Sequence, residues 1–140
     1  MSRVVVDASV AAKWFLNEIH SPAALRLVGG HDLLAPDLLL SEVAQVIWKR
    51  ARRRELSVEQ GVAILRQLNA APLTIHPSGL LIEVAFEIAL GLARTVYDCL
   101  YLTLAIQQGC RLVTADRTFH QALQGGPFAS SVLWVEDRIA

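Results

Sequence analysis

The sequence predicts an α/β fold, a three-layer α/β/α sandwich around a mainly parallel central sheet. Two observations carry that reading. Short apolar strand candidates at residues 3–6, 33–35, 73–75 and 131–135, with a further short strand between Gly109 and Asp116, alternate with helical stretches. No internal repeat, low-complexity stretch or interdomain linker interrupts the alternation. Residues 1–140 are therefore expected to form one domain, long enough for a real core.

Each element has a local cause. Arg3-Val4-Val5-Val6 is a β-branched run that reads as a buried strand and stops at Asp7. Residues 8–16 follow with helical character, and residues 17–21 break it. Pro22 opens another helix to about Val28, ended by Gly29-Gly30. Residues 33–35 form the second strand. Pro36-Asp37 starts a long helix to about Arg54, whose apolar positions Leu39, Val43, Val46 and Ile47 recur at threes and fours. Ser57 and Gln60 predict a capping box for a helix through about Asn69. A strand at residues 73–75 lies between Pro72 and Pro77, and Ser78 is expected to cap a helix to about Ala93. Residues 95–119 then read as helix, glycine turn, short strand and second helix, before a last strand at residues 131–135.

Composition narrows the class. The chain is 54% hydrophobic with a mean hydropathy of +0.41, rich for 140 residues, so some apolar surface is expected to meet a second copy or a partner. Thirteen basic and thirteen acidic residues cancel, which argues against a generally basic nucleic-acid binder. Locally, Lys49, Arg50, Arg52, Arg53 and Arg54 gather five bases at the end of one helix, where cations complement the dipole as well as they would bind phosphate. Cys99 and Cys110 sit in apolar segments without a CxxC or Cys/His spacing, so neither a disulfide framework nor a zinc site is expected. The start MSRVVVDAS lacks a signal-peptide core, and the apolar stretch 79–93 is short and carries Glu83 and Glu87. A cytoplasmic protein with no membrane segment is the resulting expectation.

Four acids need more explanation. Taken singly, Asp7, Asp98 and Asp116 are ordinary helix-start residues: Asp7 and Asp116 follow strands, and Thr95-x-x-Asp98 fits a capping box. Glu42 has no such excuse. It lies within the long helix with Leu38, Leu39 and Val46 as its neighbours at three and four, and no Lys or Arg at those spacings. In an open parallel sheet, ligands bind outside the carboxyl ends of the strands where strand order reverses, and all four acids are expected at that edge. Four carboxylates about 5 Å apart would repel by roughly 3 kcal/mol per pair at an effective dielectric of 20. Such a cluster must hold protons or cations. With oxygen ligands alone, Mg²⁺ or Mn²⁺ fits, and an ion of that kind suits phosphodiester hydrolysis. Without those four acids, thirteen bases face nine acids, a balance that suits a polyanionic substrate.

These residues carry a pattern. VVVDAS, LLLSEVAQVI, TVYDCLYLTLA and LVTADRTF resemble the PIN-domain nucleases, and most of all the VapC-type toxin ribonucleases of toxin–antitoxin modules, over essentially the whole chain. The resemblance implies a Mg²⁺- or Mn²⁺-dependent endoribonuclease with Asp7, Glu42, Asp98 and Asp116 as its acidic quartet. Asp7, Asp98 and Asp116 would be the main metal ligands. Glu42 would bind metal directly or through water, or orient the attacking water. Ser9 and Thr114 fall where the family often has a hydroxyl supporting the ligands. Some members carry a further acid after the last Asp; here Arg117, Thr118, Phe119 and His120 follow, so that ligand for a second metal is missing. The resemblance also implies an RNA substrate, a homodimer and a cognate antitoxin that blocks the site.

The remaining candidates read more plainly. Lys13 and Arg94 lie near the expected crevice and could steer a phosphate. Trp14 and Phe15 read as core or interface, Tyr97 as packing, and His20, His31, His76 and His120 as scattered residues that form no ligand set. Ser9 and Ser41 have no evident His partner for nucleophilic catalysis, and acids beside Cys99 would raise its pKa. Three alternatives remain open. A receiver-like phosphoacceptor shares the fold class, but this chain lacks paired acids at the first strand and any Lys after Lys49. An inactive binding module would keep the fold. A PIN nuclease for RNA processing or DNA would keep the chemistry outside a toxin–antitoxin pair.

Overall fold

Valine-rich and leucine-rich segments too short to be helices come together as a five-stranded sheet in the computed structural model, which describes residues 2–139. In chain order the elements are β1 (Arg3–Val6), α1 (Ala8–Ala11), α2 (Ser21–Leu27), β2 (Asp32–Pro36), α3 (Leu38–Arg52), α4 (Val58–Asn69), β3 (Leu73–His76), α5 (Ile82–Leu92), α6 (Val96–Gln107), β4 (Arg111–Thr114), α7 (Arg117–Leu123) and β5 (Val132–Trp134). The strand order is β3-β2-β1-β4-β5, and every pairing is parallel. The chain winds outward from β1 to β3, then returns to the other side of β1. Strand order therefore reverses between β1 and β4, where Val4, Val5 and Val6 pair with Arg111, Leu112 and Val113.

Burial follows from this position. Successive side chains of a strand face opposite sides of the sheet, yet Val4, Val5 and Val6 are all buried, as are Leu33, Leu34 and Ala35, and Leu112, Val113 and Thr114. Both faces are covered, so the sheet is the middle layer of the predicted sandwich. Helix α6 packs against β1, β2 and β4 and against α5, while α3 packs on α1 and α4. Cys99 to Ala105 of α6 are buried without a gap, which makes it a helix of the protein's centre with no solvent face over that span. Gly109, at φ +64°, takes the left-handed conformation that turns the end of α6 back toward β4. Among the described residues no single helix is long and apolar enough to cross a membrane. Helices α5 and α6 would pass by length and composition only as a pair bent by 115°.

The caps are where local sequence acts most directly. Ser57 and Gln60 form both halves of the expected capping box, at 3.0 and 2.8 Å. Replacing the exposed Ser57 by Ala is expected to lower stability by about 1 kcal/mol in thermal denaturation. The ribonuclease activity that the resemblance implies should be unchanged, because α4 carries none of the four acids. Two helices differ from expectation. Ser78 does not cap α5: it lies in a 3-10 turn, Ser78–Leu80, and α5 begins at Ile82 without a side-chain cap. Its hydroxyl and backbone N–H instead donate to Asp37 Oδ1 at 2.5 and 3.2 Å, tying the end of β3 to the start of α3. The helix after β1 is also shorter than expected. It ends at Ala11 and passes into a 3-10 turn, Ala12–Trp14, with the Trp14 indole N–H donating to the Ala24 carbonyl at 2.9 Å.

Candidate active site

The site is built from the two strands at the reversal point. Because Val6 stands beside Val113, the next residue of each strand, Asp7 and Thr114, meet as the chains leave the sheet. Asp7 caps α1 by accepting from the Val10 N–H at 3.2 Å through Oδ1. Ser9 Oγ donates to the same oxygen at 2.5 Å, and Thr114 Oγ1 donates to Oδ2 at 2.5 Å. Each hydroxyl also works backward into the β4 turn: Ser9 Oγ accepts from the Ala115 N–H at 2.9 Å, and Thr114 Oγ1 from the Asp116 N–H at 3.0 Å. Asp116 in turn caps α7 by accepting from the Phe119 N–H at 3.1 Å. One hydrogen-bonded ring thus fixes Asp7 and the backbone of Asp116 together.

The other two acids come from helices at the same edge. Thr95 caps α6 by accepting from the Asp98 N–H at 3.1 Å. The second half of the expected capping box is absent, because the Asp98 carboxylate receives Arg94 Nη2 at 2.7 Å instead. Glu42, one turn into α3, is half-buried and accepts from the Tyr101 hydroxyl at 2.5 Å. It has no basic partner among the described residues. Tyr101 is the residue that the sequence reading missed. It lies three residues after Asp98, on the same helix face, inside the unbroken buried run of α6, where a phenol O–H needs an acceptor.

Electrostatics links the acids pairwise, Asp116 acting on Asp7 and on Asp98, and Asp98 on Glu42. Burial pushes the Asp7 carboxyl up from 3.8 to about 6 against its hydrogen-bond donors, and the charge of Asp116 adds to the rise. Burial likewise raises Glu42, opposed by the Tyr101 hydrogen bond and helped by the charge of Asp98. Burial raises Asp98, opposed by Arg94 and helped by Asp116. Burial is also the main reason that the Cys99 thiol is pushed up to about 11, with Asp98 adding to it. A neutral thiol there is neither a nucleophile nor a soft metal ligand.

The arrangement can hold a hard cation in one respect and has not closed on one in another. Its donors are carboxylate and hydroxyl oxygens, the set suited to Mg²⁺ or Mn²⁺, and among the described residues Asp7 and Glu42 have no cationic side chain to neutralise them. Yet among the described residues no three His, Cys, Asp or Glu side chains stand as a ready-made ligand cluster. The outer acids are engaged elsewhere, Glu42 with Tyr101 and Asp98 with Arg94.

Other candidates fall into place around this edge. Lys13 pairs with Glu18 at 3.5 Å, and Arg50 with the same carboxylate and with Glu55 at 3.3 Å. Glu18, in the turn before α2, thus ties Lys13 to Arg50 of α3, so the Lys13 ammonium that could steer a phosphate rests on a carboxylate here. Arg52 lies over Trp48, 5.4 Å from the ring centroid. Tyr97 is 60% exposed, so it is not the packing residue expected. Arg117, directly after Asp116, rests over Trp134 at 4.3 Å from the ring centroid.

An open parallel sheet with carboxylates at its reversal point has the architecture of a ligand or catalytic site there, and comparison with known proteins identifies the family. The chain belongs to the PIN-domain family, whose profile matches residues 4–122. Within that family it falls among the VapC ribonucleases. Ribonuclease VapC3 of Pyrobaculum aerophilum is 36% identical over 118 residues, covering 82% of this chain and 90% of the relative. VapC ribonuclease Mb0985 of Mycobacterium bovis is 34% identical over 113 residues, covering 81% and 85%. Two crystal structures share the fold. PAE2754 from Pyrobaculum aerophilum superposes with a TM-score of 0.70 at 21% identity, over 96% of this chain and 92% of the other. Mycobacterium tuberculosis VapC20, described as a Sarcin-Ricin loop cleaving toxin, gives 0.63 at 17% identity over 85% and 94%.

Proposed function

We propose that this chain is a single nuclease domain, residues 1–140, that cleaves RNA endonucleolytically with Mg²⁺ or Mn²⁺ held by Asp7, Asp98 and Asp116, and that Glu42 completes the quartet. The observation that carries the proposal is Asp7, a buried carboxylate with three hydrogen-bond donors and, among the described residues, no cationic side-chain partner, lying in the field of Asp116, which also acts on Asp98. Asp7, Asp98 and Asp116 would hold a divalent ion, whose chemistry there would be Lewis-acid polarisation of the phosphodiester and acidification of a water.

The protein's own groups do the positioning. Ser9 and Thr114 hold the Asp7 carboxylate, and Thr114 also fixes the Asp116 backbone. Tyr101 fixes one oxygen of Glu42 and leaves the other free. Glu42, made more basic by burial, takes a proton from the attacking water. Its biological setting is the cytoplasm, as the toxin of a toxin–antitoxin pair with a cognate antitoxin that blocks the site. Homodimerisation and antitoxin binding both need apolar surface, and α5 carries it: Ile82, Val84, Phe86 and Leu90 are each more than 40% exposed.

The test is RNA cleavage by the purified protein. Activity is expected with Mg²⁺ or Mn²⁺, and Asp98→Asn, folded by circular dichroism, should lose roughly a hundredfold or more of it. Full cleavage in excess chelator would sink the metal assignment. Growth arrest on expression without antitoxin, absent for Asp98→Asn, is the corresponding test of the toxin role.

A further inference from the structure

Arg94 occupies an odd place. It lies in the three-residue connection between α5 and α6, and its side chain reaches forward to the start of α6 instead of back to the end of α5. A cation is disfavoured at a helix N-terminus, and a base four residues before an acid is the weaker order of an i,i+4 pair. As a helix brace, Arg94 is therefore poorly designed.

Its contacts describe a different job. Nη2 meets Asp98 Oδ2 at 2.7 Å, and the guanidinium lies 5.4 Å from the ring centroid of Phe119, in the first turn of the helix that Asp116 caps. The side chain is only 23% exposed, and its Nε is buried with no hydrogen-bond partner. A guanidinium offers five donors in a planar fork that matches carboxylate or phosphate oxygens two at a time. Here one contact is made, and a buried donor stands idle beside it, between the two helices that carry Asp98 and Asp116.

We propose that Arg94 is a phosphate-binding residue of the nuclease: it rests on Asp98 when no RNA is bound, and passes its guanidinium to the RNA phosphate when a divalent cation takes Asp98. The assignment rests on the nuclease reading above. A cation arriving at Asp98 competes with Arg94 for one carboxylate. Once displaced from Asp98, the guanidinium can turn Nε and its neighbouring N–H groups out toward a phosphate oxygen pair. RNA brings that anion to the same edge, so the free protein's counter-ion becomes the substrate's clamp.

This arrangement predicts effects of opposite sign, which a structural brace cannot give. Arg94→Met keeps an unbranched apolar side chain at this position and removes the charge. Mn²⁺ binding to the RNA-free variant, followed by isothermal titration, should tighten by roughly threefold to tenfold, since a competing positive charge has gone. KM for RNA cleavage should rise roughly tenfold to a hundredfold, the value of a charged hydrogen bond. Arg94→Lys, which keeps the charge and loses the fork, should bind Mn²⁺ about as wild type does and still show the raised KM. If Arg94→Met does not fold, the RNA arm of Arg94→Lys decides alone. Parallel weakening of Mn²⁺ and RNA, or an unchanged KM beside a cleaving wild type, overturns the assignment and leaves the nuclease reading standing. A wild type that binds Mn²⁺ but cleaves no RNA overturns both.

Discussion

Asp7→Asn is expected to give a protein that, free of metal at neutral pH, melts at a higher temperature than wild type and no longer cleaves RNA. The Asp7 carboxyl is pushed up to about 6 by burial, so the folded protein holds its proton more tightly than the unfolded chain does. Stability linked to this group is fully present below the unfolded value near 3.8 and is lost as pH rises through about 6. Above that, the metal-free fold carries the whole cost of a buried anion, on the order of 1–3 kcal/mol. Asparagine removes the charge and keeps the hydrogen-bond shape. Its Oδ1 can still accept from Val10 N–H and Ser9, and its amide can donate to Thr114 Oγ1.

The stability difference should therefore be largest in chelator at about pH 8 and vanish near pH 4. Adding Mg²⁺ or Mn²⁺ should raise the melting temperature of wild type and not of the variant, because only wild type gains binding energy in the folded state. Cleavage should fall by roughly a hundredfold to a thousandfold, the cost of several kcal/mol of lost charge stabilisation. A variant that melts below wild type in chelator at about pH 8 contradicts the account.

Thr114→Val is the second large effect, because one hydroxyl serves both acids of the reversal point. Thr114 is fully buried, donates to Asp7 and accepts from the Asp116 N–H. Valine fills the same space and leaves both partners short. The unpaired Asp116 N–H should cost about 1–3 kcal/mol in denaturant unfolding. Losing a group that orients the ligands should weaken Mn²⁺ binding about tenfold to a hundredfold, with cleavage falling in step. Thr114→Ser restores donor and acceptor together and should recover most of both. Unaltered Mn²⁺ affinity in Thr114→Val would show that the ring around Asp7 has no part in holding the ion.

What the sequence made legible, and what it did not, divides along range. The capping box of Ser57 and Gln60, and the caps by Asp7, Thr95 and Asp116, depend on residues within three positions of one another. The fold class was readable because hydrophobic runs of strand length alternate with helices, and a parallel sheet buries such runs on both faces. Misjudged residues were those whose partners lie outside the helix-cap and helix-face spacings that local pattern reads. Ser78 has the chemistry of an N-cap, but Asp37, 41 positions earlier, takes its hydroxyl. Lys13 lies near the site in sequence, yet a carboxylate in the following turn claims it. Glu42 was noticed for having no nearby base, while Tyr101, its actual partner, is 59 positions away. Only the habit of buried phenols to seek an acceptor pointed to it.

The central place of β1 has a consequence in time. A ribosome makes Asp7 and Glu42 early, but the slot beside β1 is filled by β4, which follows about 110 residues of synthesis after β1, roughly 5–20 seconds of elongation. Until then β1 has only β2 at its side, the hydroxyl of Thr114 does not exist, and Asp7 has no Asp116 to share a site with. No nascent fragment short of residue 116 holds the quartet. On the toxin reading, topology therefore sets the timing: the proposed site cannot assemble on a nascent chain until the fourth strand has docked beside the first.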